Sequence, residues 1–180
     1  MADVKILVLV GSLREASLNR QLAQVASETA PAGVSLQLFD RLGELPFYNE
    51  DVDGDSVDEV VQALRLAAAE SDAALVVTPE YNGSIPGVLK NAIDWLSRPY
   101  GNGALNGKPL AVIGTALGQY GGVWAHDETR KSFGVAGPRV VEGVKLSLPA
   151  SVFGDEHPRE NADVVQQVRE AVEKLAAEVG

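Results

Sequence analysis

Three loops of this chain concentrate residue types that hold small polar ligands: "GSLREASLN" (11–19), "TPEYNGSIPG" (78–87) and "GTALGQYGG" (114–122). The first follows an apolar run and opens a helical pattern, the layout of a phosphate cradle. N–H groups at a helix start point outward and carry partial positive charge, so an anion is favoured there. Ser12, Ser17 and Asn19 add neutral donors, and Arg14 adds a forked cation suited to phosphate oxygens. Neither G-x-x-x-x-G-K-[ST] nor G-x-G-x-x-G is present, which disfavours a triphosphate or a dinucleotide pyrophosphate and leaves a terminal phosphate. The plainer reading makes Ser17 an N-cap and Arg14 a solvated loop residue; the other two loops shift the balance to phosphate.

The second loop joins an aromatic, an amide and a carboxylate between Pro79 and Pro86. A planar ring needs a flat wall with in-plane hydrogen-bond partners, and Tyr81 with Asn82 and local N–H groups can supply both. Gly83 and Gly87 permit close backbone approach or positive φ, and Pro86 suits the first turn of the helix that follows. Glu80 reads at least as readily as a structural carboxylate as a catalytic one. In the third loop, Thr115 offers a hydroxyl and Gly118, Gly121 and Gly122 offer backbone donors that could stabilise negative charge at a ring edge.

Other chemistry is thinly supplied. The chain lacks cysteine, which excludes disulfides, thiolate metal sites and cysteine nucleophiles. Its histidines are His126 and His157; a lone helical His is more often a surface or cap residue than a base, so His126 receives no role. "DVDGD" (51–55) resembles a calcium run but has Gln62 where the loop's twelfth-position glutamate belongs, so it reads as a turn and helix cap. Trp95 is expected in the core or at a subunit contact.

The elements that must position these loops alternate strand and helix. Apolar or alternating runs at Val4–Val10, Val34–Phe39, Ala73–Thr78, Pro109–Gly114 and Arg139–Leu146 predict five strands. The first, third and fourth are almost wholly apolar, as befits strands covered on both faces. The second alternates and reads as an edge strand; the fifth is interrupted by Glu142 and Lys145. Helical stripes run from Leu18 to about Ala30, from a capping box of Ser56 and Glu59, over Gly87–Ser97, more weakly over Gly122–Phe133, and over Ala162–Val179. Short connections between five β–α units predict a parallel, doubly wound α/β sheet of order 2-1-3-4-5, a single domain over residues 1–180. Ligands of such sheets sit beyond the strands' carboxyl ends, where the order reverses, and the three polar loops share that edge.

The bulk properties agree. With 180 residues, 46% hydrophobic and 22% charged, the chain can bury a sizeable core. A net charge of −10 argues against nucleic acid or an anionic membrane as partner. The apolar start is too short to span a membrane, and a cytoplasmic protein is expected.

In "GSLREASLN", "PEYNGSIPGVLKNAIDWLSRP" and "GKPLAVIGTALGQYGG" the chain resembles the bacterial NADPH-dependent FMN reductases, a flavodoxin-like group that includes chromate and quinone reductases. The resemblance covers most of Val4–Gly122. It implies a three-layer flavodoxin-like sandwich and non-covalent FMN, with NADPH or NADH as electron donor. It also implies reduction of quinones, chromate, azo compounds or free flavin by a ping-pong scheme. Ser12, Arg14, Ser17, Leu18 and Asn19 would then bind the FMN phosphate and ribityl chain. Pro79, Glu80, Tyr81 and Asn82 would line the isoalloxazine. Thr115 and Ala116 would flank the far part of the site, with Ala116 offering only backbone where relatives carry a second hydroxyl. Such proteins are homodimers or homotetramers. The competing expectation is a flavodoxin-type carrier that binds FMN and turns over no substrate. A receiver domain lacks its acidic pair here, since Gly11 and Ser12 end the first strand, and a low-molecular-weight phosphatase would need cysteine.

Overall fold

The computed structural model describes residues 3–54 and 56–180. The elements run β1 (Val4–Val10), α1 (Leu18–Glu28), β2 (Val34–Phe39), α2 (Glu59–Glu70), β3 (Ala73–Val77), α3 (Gly87–Leu96), β4 (Pro109–Ala116), α4 (Val123–Ala136), β5 (Arg139–Pro149) and α5 (Ala162–Ala177). The five strands form one sheet in the order β2-β1-β3-β4-β5, and every pairing is parallel.

Successive strand side chains point to opposite faces, so a strand that is apolar at every position feeds two cores. Ile6, Val8 and Val10 of β1, with Leu75 and Val77 of β3, pack with α1 and α5. Leu7, Leu9, Ala74 and Val76 pack on the other face against α2, α3 and Phe133 of α4. Three layers follow from that alternation. The edge strand β2 has only partly buried and exposed positions, matching its mixed sequence. Trp95 is fully buried in the second core, with Nε1 donating to Pro46 O at 2.8 Å and Tyr48 packed edge-on at 4.9 Å. It is therefore a core residue.

Strand β5 extends three residues past its expected end because it carries a bulge. Leu110 pairs with Val140, whereas Val112 pairs with Lys145, so β5 holds extra residues between the two registers. The freed carbonyls have a partner: the buried Arg130 guanidinium donates to Val112 O at 2.9 Å and Val144 O at 3.4 Å, and pairs with Asp127 at 2.9 Å. Glu142 and Lys145, which interrupt the sequence pattern, form an ion pair at the bulge.

The expected Ser56–Glu59 capping box does not form. Asp58 is the N-cap of α2, accepting from Val60 N at 2.8 Å, and the helix starts at Glu59. An ionised carboxylate one residue before the helix outcompetes the more distant serine. In the acidic run, Asp53 pairs with Arg65 in a two-pronged contact of 2.8 and 3.1 Å, and Asp55 lies outside the described residues.

The other end of α2 is closed by Lys108. Its ammonium donates to Ala68 O, Ala69 O and Ser71 O at 2.8, 2.8 and 2.6 Å. Carbonyls at a helix C-terminus favour a cation, and charge-assisted bonds are the stronger kind. The Lys108→Met variant is expected to lose about 2 kcal/mol of stability. For a chain of this size that is about 4–8 °C in melting temperature, read by circular dichroism.

Candidate functional site

The loops beyond β1, β3, β4 and β5 enclose a cavity of about 340 Å³, a volume usual for small-molecule sites. It lies at the carboxyl edge, where the strand order reverses between β1 and β3.

Its first wall is the turn into α1, with Ser12, Arg14, Ser17, Leu18 and Asn19 on the lining. Ser17 is the N-cap by backbone geometry, yet its buried hydroxyl makes no capping bond. The first intrahelical bond is Gln21 N to Ser17 O, so the N–H groups of Leu18, Asn19 and Arg20 have no intrahelical acceptor. Arg14 is exposed, and its guanidinium makes no ion pair among the described residues. The wall therefore presents free donors.

Asn19 departs from the expected side-chain donor role. Its Nδ2 donates to Thr115 O and its Oδ1 accepts from Thr115 N, both at 2.9 Å. The side chain thus splices the start of α1 to the end of β4, and its backbone N–H has no intrahelical acceptor.

The second wall follows β3. Pro79, Glu80 and Tyr81 line the cavity; Asn82 does not. Tyr81 and Ser84 exchange backbone bonds of 3.1 and 3.2 Å around Asn82 (φ 54°) and Gly83 (φ 71°). That is a tight turn of the Asn-Gly kind, in which both central residues need positive φ. Asn82 is thereby held as a turn residue. Glu80 Oε2 accepts from Ala125 N at 3.1 Å, so this carboxylate caps the first turn of α4. Pro86 is the N-cap of α3, one place before its expected position.

The third wall is β4. Thr115 and Ala116 line the cavity, and Thr115 Oγ1 is buried with no hydrogen-bond partner among the described residues. A buried hydroxyl left unpaired beside a cavity is a group that a bound polar atom can satisfy. Together with the free donors of α1, this fits a phosphorylated molecule with further polar groups along its length. Leu117, Gly118 and Ala16 complete expected loops, while Ala150 opens the short 3-10 turn directly after β5, beyond the strand end that periodicity predicts.

His126 corrects the expectation of a surface or cap residue. It is fully buried in α4, with Nε2 2.8 Å from Thr78 O and Nδ1 2.6 Å from Ser147 Oγ. Burial pushes its pKa down, with a smaller push from Arg130, against the Thr78 bond, Glu80 and Asp127. No one-dimensional signal marks it, since its partners are 48 and 21 residues away.

Tyr81, Leu117, Tyr120 and Trp124 remain exposed, and the Tyr120 and Trp124 rings lie 5.9 Å apart. A larger cavity of about 470 Å³ shares no lining residue with the first; it lies between the C-terminal halves of α3 and α4 and includes Arg98, Tyr100 and Lys131. Among the described residues no cluster of three or more His, Cys, Asp or Glu could hold a metal ion, and no helix is long and apolar enough to cross a membrane.

A parallel sheet of this order, with polar loops gathered beyond β1, β3 and β4, is the flavodoxin-like fold. Residues 4–153 match the family model of the NADPH-dependent FMN reductases, and the chain belongs to that family. It is 47% identical over 127 residues to a quinone reductase of Pseudomonas putida, covering 71% of this chain and 68% of that one. It is 48% identical over 127 residues, with the same coverage, to a 2-hydroxy-1,4-benzoquinone reductase of a Burkholderia species. Among solved structures, the flavoenzyme NAD(P)H:(acceptor) oxidoreductase FerB of Paracoccus denitrificans superposes with a TM-score of 0.86 at 33% identity, covering 98% and 97% of the two chains. The chain is thus an NAD(P)H-dependent, FMN-using reductase.

Proposed function

We propose that the 340 Å³ cavity is the FMN site and that the chain reduces quinones at the expense of NAD(P)H. The observation that carries this reading is that one cavity joins an α1 N-terminus with unengaged donors to a buried, unpartnered Thr115 hydroxyl. FMN's terminal phosphate carries nearly two negative charges. Leu18, Asn19 and Arg20 N–H groups, the Ser12 and Ser17 hydroxyls and Arg14 suit its oxygens without a metal. Thr115 and the Ala116 backbone serve the ribityl side, while Pro79, Glu80 and Tyr81 form the ring-side wall. Asn82 fixes the turn that carries Tyr81.

Bound FMN supplies the redox chemistry, taking hydride from the nicotinamide and returning two electrons to the acceptor. The protein's part is to bind, orient and polarise. The α4 N-terminus, donating from Ala125 N, stabilises the Glu80 carboxylate and so holds it in the ring-side wall. The exposed Tyr81, Tyr120 and Trp124 offer flat apolar surface to an aromatic acceptor. Donor and acceptor share one opening and use it in turn, a ping-pong order. The enzyme works in the cytoplasm, where NAD(P)H is supplied, as a homodimer or homotetramer. Exposed Tyr100 and Val135 beside the second cavity supply apolar surface for that contact.

The test is steady-state NADPH and NADH oxidation with 1,4-benzoquinone, with chromate, an azo dye and free flavin as competing acceptors. Turnover with benzoquinone and parallel double-reciprocal lines are expected; no turnover with any quinone overturns the substrate assignment, and intersecting lines overturn the ping-pong order. Arg14→Ala is expected to weaken FMN binding by roughly tenfold to a hundredfold, the worth of a charge-assisted phosphate contact. Its far-ultraviolet spectrum should not change, because the side chain is exposed. Unaltered affinity removes Arg14 from the site.

A further inference from the structure

His126 is a full-sized polar side chain buried directly behind the cavity, and nothing in the binding of phosphate or ring accounts for it. Its chemistry is set by its partners. Thr78 O is a carbonyl and can only accept, so Nε2 carries the proton; Nδ1 then accepts from the Ser147 hydroxyl when the ring is neutral. Thr78 immediately precedes the Pro79–Tyr81 wall, and Ser147 lies on β5 opposite Gly114, one residue before Thr115. The imidazole is therefore a rigid strut from the ring-side wall to β5, passing beneath β4.

The surroundings have been hollowed out for it. A Cβ on Gly114 would stand 2.7 Å from His126 Nε2, and one on Gly122 would stand 3.1 Å away. The same α4 turn carries Ala125 N, the donor to Glu80. Two consecutive residues of α4 thus hold two positions of the wall, Ala125 at Glu80 and His126 at Thr78. No other side chain among the described residues bonds to Thr78 O.

We propose that His126 is a positioning residue for the flavin: through Thr78 O it fixes the ring-side wall against β5, and flavin affinity depends on the imidazole keeping Nε2–H on Thr78 and Nδ1 on Ser147. The role rests on the 340 Å³ cavity being the FMN site. His126 touches no substrate itself.

Burial holds the ring's pKa below its ordinary 6.5. The charged groups that act on it are Arg130, which lowers it further, and Glu80 and Asp127, which raise it. The unfolded chain therefore takes up a proton near pH 6.5 that the folded chain refuses. Folding is weakened by up to tenfold per unit as pH falls from there to the depressed folded value. Protonation of the folded state would force Nδ1 to donate to Ser147, turning the hydroxyl about and loosening the strut.

The experiment uses the flavin-free full chain titrated with FMN between pH 5 and 8, following flavin fluorescence and the visible spectrum. Wild type, His126→Gln, His126→Leu and Ser147→Ala are compared, each checked for folding by circular dichroism. Gln retains a donor for Thr78 and should bind within about threefold of wild type. Leu should bind tenfold or more weakly with an altered flavin spectrum. Ser147→Ala should weaken binding severalfold and change the pH dependence. In parallel, 15N imidazole spectra of the wild type, with His157 as the only other signal, should show an Nε2–H neutral ring with a bonded Nδ1 at pH 7. If Leu does not fold, Ser147→Ala and the imidazole spectrum decide. Wild-type affinity and spectrum in folded Leu and Ser147→Ala variants, or an Nδ1–H tautomer, overturn the proposal while leaving the FMN site intact. A wild-type chain that binds no FMN overturns the site reading instead.

Discussion

Gly114→Ala is expected to destabilise the chain by about 3 kcal/mol or more and to abolish FMN binding at micromolar concentrations. A methyl group at this β4 position would overlap Thr78 O and stand 2.7 Å from His126 Nε2 and 2.8 Å from Asn19 Oδ1. None of the three can yield at low cost. Thr78 O is backbone already accepting from His126, and Asn19 Oδ1 accepts from Thr115 N. The added methyl must break a buried hydrogen bond or push β3 from β4, whose pairing reaches Val77 opposite Ile113. Melting by circular dichroism should fall by about 6–12 °C for a chain of this length. A variant with wild-type melting and wild-type FMN affinity would show that the close approach of these groups is not a property of the molecule.

Asn19→Ala has the second largest expected effect, because one side chain serves two backbone groups. Its removal leaves both Thr115 N–H and Thr115 C=O without their partner in a buried position. Stranding two such groups costs about 2–5 kcal/mol. The consequence reaches function, since this splice sets the distance between the α1 N-terminus and the Thr115–Ala116 wall, which face each other across the cavity. Asn19→Asp separates the two effects. It retains the acceptor for Thr115 N, but sets a carboxylate against Thr115 O and beside the phosphate. Its FMN affinity should therefore fall further than its melting temperature. Guanidinium unfolding of the apo chain and FMN titration of both variants make the comparison. Equal losses in both measurements for Asp and Ala would show that Asn19 acts on stability alone.

Where sequence patterns failed, another partner had intervened, a neighbour in one case and a distant residue in the others. Ser56 and Glu59 have the spacing of a capping box, but Asp58 starts α2 instead, and Ser56 is left exposed. The fifth strand, expected over Arg139–Leu146 and interrupted by Glu142 and Lys145, runs on to Pro149. In space a bulge turns that segment outward, and Arg130 from α4 supplies the missing donors to Val112 O and Val144 O. Asn19 looked like a free donor because its partner, Thr115, is 96 residues away.

What the linear chain determined by itself is the part governed by local periodicity. Runs apolar at every position make strands covered on both faces, amphipathic stripes make the helices between them, and short connections force parallel order. Those rules deliver the sheet, its reversal between β1 and β3, and the gathering of polar loops on one edge. The tertiary structure alone decided which polar atoms in those loops remain free. Ser17's hydroxyl is unengaged, Thr115's is buried and unpaired, Asn19's amide is committed and His126 is drawn inside. The physical reason is that a hydrogen bond satisfies a group through whichever partner folding brings within about 3 Å, and separation along the chain carries no record of that meeting.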